Sequence, residues 1–342
     1  MLKKLFFACY YQARRVVGKI EKILVPYLQK LHVEDIKRHQ NLPSRCQPYA
    51  KPGHYNLVLI GGIGDVVGIL ALTPELEKTY GKQLYFMAKP SHEVLLNMFG
   101  VKNYQILDFL QEPYPFLITL NKTDTPSKDH LFFTHYFFQP IPTFPEQHGS
   151  NFAISLKRLL GLPDDAPFTQ PVWRPPLSPR LEALIQKAGG LEKIILMSPE
   201  SQRKNANRWF NWWRKVSQQL HQKGFTVVCN AFQPQHQLPD SQDWKLSAEE
   251  VIALGLRCRA VISVRSGLCD VLNYRGSNLF VIDLHPHLPE IKKFFNLNTM
   301  FGRTDIHEYF NELAISPEAI VEQICATKLQ QIPSNFDTIE SN

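Results

Sequence analysis

The sequence predicts an α/β protein of two parallel-sheet domains facing one cleft, preceded by a basic amphipathic helical segment. Three observations carry this expectation. Short apolar runs alternate with helix-length amphipathic stretches through both halves, the signature of βαβ units. A glycine turn, Gly61-Gly62-Ile63-Gly64-Asp65, follows the first apolar run, and Arg265-Ser266-Gly267 follows a run in the second half. Between the halves, the proline-rich stretch 163–179 reads as a connection. A length of 342 residues, 44% apolar and 20% charged, suits two ordered domains and excludes a disordered or fibrous chain.

Residues 1–50 come first. They hold ten basic side chains (Lys3, Lys4, Arg14, Arg15, Lys19, Lys22, Lys30, Lys37, Arg38 and Arg45) against Glu21, Glu34 and Asp35. That excess equals the formal net charge of the whole chain, +7, so the body of the protein is neutral. Apolar residues from Leu2 to Leu31 recur at three- and four-residue steps and form one helical stripe. Lys4, Arg15, Lys19, Lys22 and Lys30 fall opposite, and Pro26 kinks or divides the helix. Two arrangements satisfy such a stripe. The helix packs on its own protein, or residues 1–45 lie on an anionic membrane surface with Phe6, Phe7, Tyr10 and Tyr11 at headgroup depth. A secretory signal is not expected, because the apolar stretch 5–13 is short and Arg14-Arg15 follows at once. Residues 39–53 read as a linker.

A charge excess confined to one end argues against a nucleic-acid-binding protein, whose globular domain carries its own basic face. The six cysteines (Cys9, Cys46, Cys229, Cys258, Cys269 and Cys325) lack CxxC spacing, so they read as free thiols rather than a disulfide framework or zinc site.

The first domain spans residues 51–170. Tyr55-Asn-Leu-Val-Leu-Ile is a buried strand, the glycine turn follows, and residues 66–76 form a helix. A strand over 83–88, a helix over 91–99 and a strand over 104–108 continue the pattern. Residues 116–120 and 130–138 are further strands or an aromatic insertion, and 151–160 a helix. The turn lacks the third glycine of a dinucleotide fingerprint. Its Asp65 either caps the following helix or faces the cleft as a general base.

The second domain spans residues 180–325, with a tail over 326–342. A strand over 193–197 precedes the polar loop 198–208, and then comes a helix over 209–223 whose Trp209, Trp212 and Trp213 suit core packing. Strands over 225–229, 260–264 and 278–283 alternate with helices over 247–256 and 268–274.

The segment Leu57-Val-Leu-Ile-Gly-Gly-Ile-Gly-Asp-Val-Val-Gly-Ile-Leu-Ala-Leu-Thr-Pro-Glu-Leu resembles the N-terminal motif of the bacterial heptosyltransferases, glycosyltransferase family 9. Arg208-Trp209-Phe210-Asn211-Trp212-Trp213 is similar to the family's basic-residue–Trp step, and Arg265-Ser266-Gly267-Leu268 stands where the family has Asp-Thr-Gly-Leu. The resemblance covers most of residues 55–320.

It implies the GT-B fold, with acceptor on the first domain and nucleotide-sugar on the second, and an inverting reaction without metal or other cofactor. Asp65 would be the general base, with Gly62, Gly64 and His148 on the acceptor side. Glu200, Ser201, Lys204, Arg208, Arg265, Ser266, Gly267 and Asp270 would meet the donor. The partners implied are a nucleoside-diphosphate-sugar and a saccharide acceptor of a bacterial surface glycan such as lipopolysaccharide, lipid-linked. Location on the cytoplasmic face of the inner membrane would follow.

The residues leave alternatives. Ser266-Gly267 also suits an ordinary strand-to-helix turn, Arg265 a salt bridge, and Lys204 and Arg208 a solvated face. His148 could touch acceptor or simply cap a helix, and Asp283 with His285 and His287 could flank a nucleotide. Arg265 and Asp270 depart from the family, which has an acid and a histidine there, so the donor sugar does not follow from the resemblance. The same fold also suits a nucleotide-sugar epimerase or hydrolase, or a non-catalytic membrane-associated adaptor.

Overall fold

The computed structural model describes residues 42–111, 132–133, 151–200, 210–231, 236–275, 278–283, 295–310 and 314–327. The basic segment 1–41, residues 116–120, Ser201, Lys204, Arg208, His285, His287 and the histidines at 130, 135 and 148 lie outside them.

The chain enters through α1 (Leu42–Cys46), whose Leu42 and Cys46 pack against Val58, Ile60 and Met87 of the first sheet. That sheet is built from β1 (Tyr55–Leu59), β2 (Leu84–Ala88), β3 (Tyr104–Ile106) and β4 (Phe132–Phe133) in the order β3-β2-β1-β4, all parallel. Full burial of Leu57, Val58 and Leu59 is what a central parallel strand with helices on both faces requires. The single helix expected over 66–76 is two: α2 (Ile63–Leu70) and α3 (Thr73–Tyr80). Pro74 sits in the first turn of α3, where its missing N–H costs nothing, and no helix runs through it from behind. Gly81, at φ +63°, closes α3 in the left-handed conformation. Helices α4 (Glu93–Met98) and α5 (Phe152–Leu159) complete the domain.

The second domain opens with α6 (Pro179–Lys187), capped by Ser178. It holds β5 (Ile194–Ser198), β6 (Thr226–Cys229), β7 (Ser241–Gln242), β8 (Ala260–Val264), β9 (Leu279–Ile282) and β10 (His307–Tyr309), joined by α7 (Phe210–Gln222), α8 (Ala248–Gly255), α9 (Gly267–Leu272) and α10 (Leu297–Phe301). A last helix, α11 (Pro317–Ala326), packs against α7. The order β10-β9-β8-β5-β6-β7, all parallel, is the doubly wound arrangement, with its switch point between β5 and β8. Strands β7 and β10 escape a sequence reading because one is two residues long and the other, His-Glu-Tyr, is half-buried throughout. Trp212 and Trp213 pack edge to face at 5.1 Å in the core, the fate expected of them, while Trp209 lies outside the described residues.

One apolar cluster runs through both domains, joining Leu57, Val66 and Leu70 to Leu196, Val261 and Leu272. Helices α2 and α9 pack against each other and carry that continuity, with Gly64 and Gly267 in contact near their N-terminal ends.

Candidate active site

In a parallel sheet the crevice lies beyond the carboxyl ends of the strands at the switch point. The glycine turn leaves β1 there, and the turns after β5 and β8 leave the second sheet at its own switch point. Fold topology therefore collects Gly61–Asp65, Ser198–Glu200 and Arg265–Asp270 from three distant parts of the chain.

On the first domain, Gly62 precedes α2, and its N–H donates to Asp65 Oδ2 at 2.8 Å. The carboxylate thus caps its own helix while staying half-buried at the crevice. Two side chains after β2 belong to this region: Lys89 feels the charge of Asp65, and His92 lies against Leu59 and Gly61. Burial lowers the pKa of Lys89, while the charge of Asp65 opposes that shift. His92 is fully buried and pushed down to about 3 by burial, with the Lys89 charge acting in the same direction and backbone contacts at Leu59 and Gly61 opposing. A neutral imidazole therefore lies under the turn that carries Asp65.

On the second domain, Glu200 is paired with His236, and both side chains are buried. Register between β5 and β6 brings them together, because Met197 stands opposite Cys229. Ser198 accepts from Asn230 Nδ2 at 3.3 Å, tying the same two strand ends.

Arg265 follows β8. Its Nη1 donates to Asp270 Oδ2 at 2.9 Å and its Nη2 to Asp270 Oδ1 at 2.7 Å, a bidentate fork. Nε donates to the Phe295 carbonyl at 3.1 Å and Nη1 also to the Ser266 carbonyl at 2.9 Å. Only 9% and 7% of the two side chains are exposed. Burial opposes the charge of Arg265, but Asp270 outweighs it and holds the guanidinium above its ordinary pKa. This guanidinium is committed to the turn.

The two domains meet at glycines. A β-carbon on Gly267 would stand 2.7 Å from the Gly64 nitrogen, and one on Gly64 would overlap the Asp270 carboxylate. Gly64, Gly267 and Asp270 are thus brought together, with Asp65 one residue away. Lys89, His92 and His236 were missed in the sequence. A His within four residues of a strand end was the available signal for His92; His236 offered none.

No protein-family model matches this sequence, and no curated protein matches it either. Solved structures do. The chain is similar to the ADP-heptose lipopolysaccharide heptosyltransferase II of Escherichia coli, with TM-score 0.54 and 15% identity over 79% of this chain and 97% of that one. It is similar to a family 9 glycosyltransferase of Veillonella parvula, with TM-score 0.50 and 13% identity over 81% and 97%. A third match is TibC of enterotoxigenic E. coli, described as an iron-containing dodecameric glycosyltransferase, with TM-score 0.49 and 16% identity over 77% of this chain. The chain spans 64% of the length of TibC. The fold is GT-B, as the family 9 resemblance implied.

The expectation of a reaction without cofactor or metal is withdrawn, because one matched protein is iron-containing. The sequence holds no Asp-x-Asp motif, but that bears only on a cation bound with the donor and says nothing about metal held elsewhere. The described residues contain no group of three or more His, Cys, Asp or Glu able to hold an ion, so they do not fit an iron site.

Proposed function

We propose that the protein is an inverting glycosyltransferase moving a sugar from a nucleoside-diphosphate-sugar to a saccharide of a bacterial surface glycan such as lipopolysaccharide. One observation carries this reading: a strand-end carboxylate, Asp65, stands one residue from the contact between Gly64 and the Ser266-Gly267 turn of the other domain. In the reaction an acceptor hydroxyl attacks the anomeric carbon, the bond from that carbon to the diphosphate oxygen breaks, and Asp65 takes the hydroxyl proton. Gly62, Gly64 and His148 serve the acceptor in this reading. Ser201, Lys204 and Arg208 meet the donor with the backbone of Ser266 and Gly267, and Glu200, buried against His236, anchors the start of their loop. Arg265 and Asp270 act by fixing the shape of that turn.

The acceptor is lipid-linked, and residues 1–41 hold the enzyme on the cytoplasmic face of the bacterial inner membrane by their basic stripe. Deleting residues 2–41 should abolish co-sedimentation with anionic vesicles; unchanged sedimentation would remove the membrane from this reading. Residues 42–46 stay in that variant because Leu42 belongs to the core.

Released nucleoside diphosphate, measured over a panel of nucleotide-sugars and glycan acceptors, tests the chemistry. Acceptor-dependent release supports transfer. Release without acceptor indicates a hydrolase, and an altered sugar on intact nucleotide an epimerase. A non-catalytic adaptor has one observation in its favour, the close Gly64–Gly267 contact that covers the start of α9. Inertness toward every donor would select it.

A further inference from the structure

A second concave site lies behind the cleft. Thr169, in the connection between the domains, donates its N–H to the Ala71 carbonyl at 2.8 Å, just past the C-terminal end of α2. Asn273 and Tyr274 follow the C-terminal end of α9. Asp65 and Gly267 occupy the opposite ends of these same helices. At 1.5 Å per residue, the helical path from Asp65 to Ala71 separates the two places by about 9 Å. A cavity of about 440 Å³ opens here, within the size range of small-molecule sites.

Its lining is chemically particular. Phe168, Tyr274 and Phe301 form a continuous aromatic wall, with ring centroids 5.4 Å apart for Phe168–Phe301 and 6.2 Å for Tyr274–Phe301. Gln170 and Thr304 bring exposed amide and hydroxyl groups to the opening. Arg303 and Asp305 also line it, and they neutralise each other through Nε–Oδ1 and Nη2–Oδ2 bonds of 2.9 Å each. No net charge remains to select an ion. Tyr274 Oη is buried without a hydrogen-bond partner of sound geometry, an unusual cost for a phenol. Aromatic faces beside amide, hydroxyl and paired-charge groups suit a ring with apolar C–H faces and equatorial hydroxyls.

The geometry points to a neutral saccharide-binding site on the back of the domain junction, separate from the cleft and independent of whether the cleft transfers sugar. Saturation-transfer difference NMR with methyl glucoside, methyl galactoside and methyl N-acetylglucosaminide tests it on the full chain. Ring protons of at least one glycoside should receive saturation, and a saturating nucleoside diphosphate should leave the signal unchanged. Gln170→Ala with Thr304→Ala, both at exposed positions, should weaken that binding about tenfold without changing the thermal unfolding of the protein. Phe301→Ala is the stronger variant, and it is read only if its unfolding transition is retained. Silence of all three glycosides up to tens of millimolar would overturn the proposal. So would displacement by the nucleotide, or full binding by the Gln170/Thr304 double variant.

Discussion

The turn after β1 and the turn after β8 are built alike and used differently. Each leaves a buried parallel strand through a glycine and opens a helix whose N-terminal half carries an aspartate. Asp65 accepts the Gly62 N–H, stands near the charge of Lys89 and stays half-buried at the crevice. Asp270 is 7% exposed and clamped by both terminal nitrogens of Arg265. A carboxylate left half-buried at the crevice can still be reached by a proton donor. One held in a buried fork has become part of the scaffold. The lesson is that motif position does not assign a role; the partners of the carboxylate do.

The sharpest way to break that contrast is on the clamped side. Asp270→Ala leaves the Arg265 guanidinium buried without its counter-charge, and stability in urea should fall by on the order of 3–5 kcal/mol. Arg265→Met should cost as much by stranding Asp270. The double change Arg265→Met with Asp270→Leu should recover much of the loss, because desolvation of both charges is removed together. A single-variant loss below about 0.5 kcal/mol, the level of a neutral surface change, would show that the fork is not a scaffold element.

Much of this was legible beforehand, and the physical reasons differ by element. Strand β1 announces itself because a central parallel strand is apolar throughout, as Leu57-Val58-Leu59 is. Asp65 was legible because a glycine turn after such a strand has one place to go, the crevice. The Arg265–Asp270 fork was not, since a cation and an acid five residues apart across a turn have no preferred geometry until α9 forms. Nothing local pairs Glu200 with His236, 36 residues on, before β5 and β6 set their register. Contact between Gly64 and Gly267 is a property of domain docking and leaves no mark on either segment.

That docking contact supplies the next effect. Gly267→Ala puts a methyl group 2.7 Å from the Gly64 nitrogen, with backbone on both sides and nothing flexible to yield. Overpacking of this kind costs about 1–3 kcal/mol or is relieved by parting the domains. Small-angle scattering should then show a larger radius of gyration, or urea unfolding a lower midpoint. Gly224→Ala makes an instructive control, since its strain is purely conformational, at φ +81° with open space around it. If Gly267→Ala left both radius and midpoint unchanged, the domains would not be in glycine contact in solution.

Acid provides a test confined to the first turn. The His92 imidazole, pushed down to about 3 by burial, stays neutral in the folded chain, whereas the unfolded chain binds a proton near pH 6.5. Below pH 6.5 the unfolded state therefore gains protons that the folded state does not. Stability falls as pH drops from about 6.5 toward about 3, by about 2 kcal/mol at pH 5. His92→Gln should flatten that part of the curve. Equal slopes for the two proteins between pH 6.5 and 5 would mean that His92 is solvated and does not underlie the turn.

The smallest effect on stability belongs to Asp65, and it separates the two turns most cleanly. Asp65→Asn keeps an oxygen able to accept the Gly62 N–H, so the cap survives and unfolding should shift by well under about 1 kcal/mol. Asp65→Ala loses the cap as well and should cost about 1 kcal/mol. Both variants lose the basic oxygen, and under the proposed transfer both should slow turnover by about 10²–10⁴-fold while nucleotide-sugar affinity is retained. Unfolding and turnover measured on the same preparations make the comparison internal. A rate preserved in Asp65→Asn would reduce this carboxylate to a helix cap, and the two turns would then differ only in how deeply their aspartates are buried.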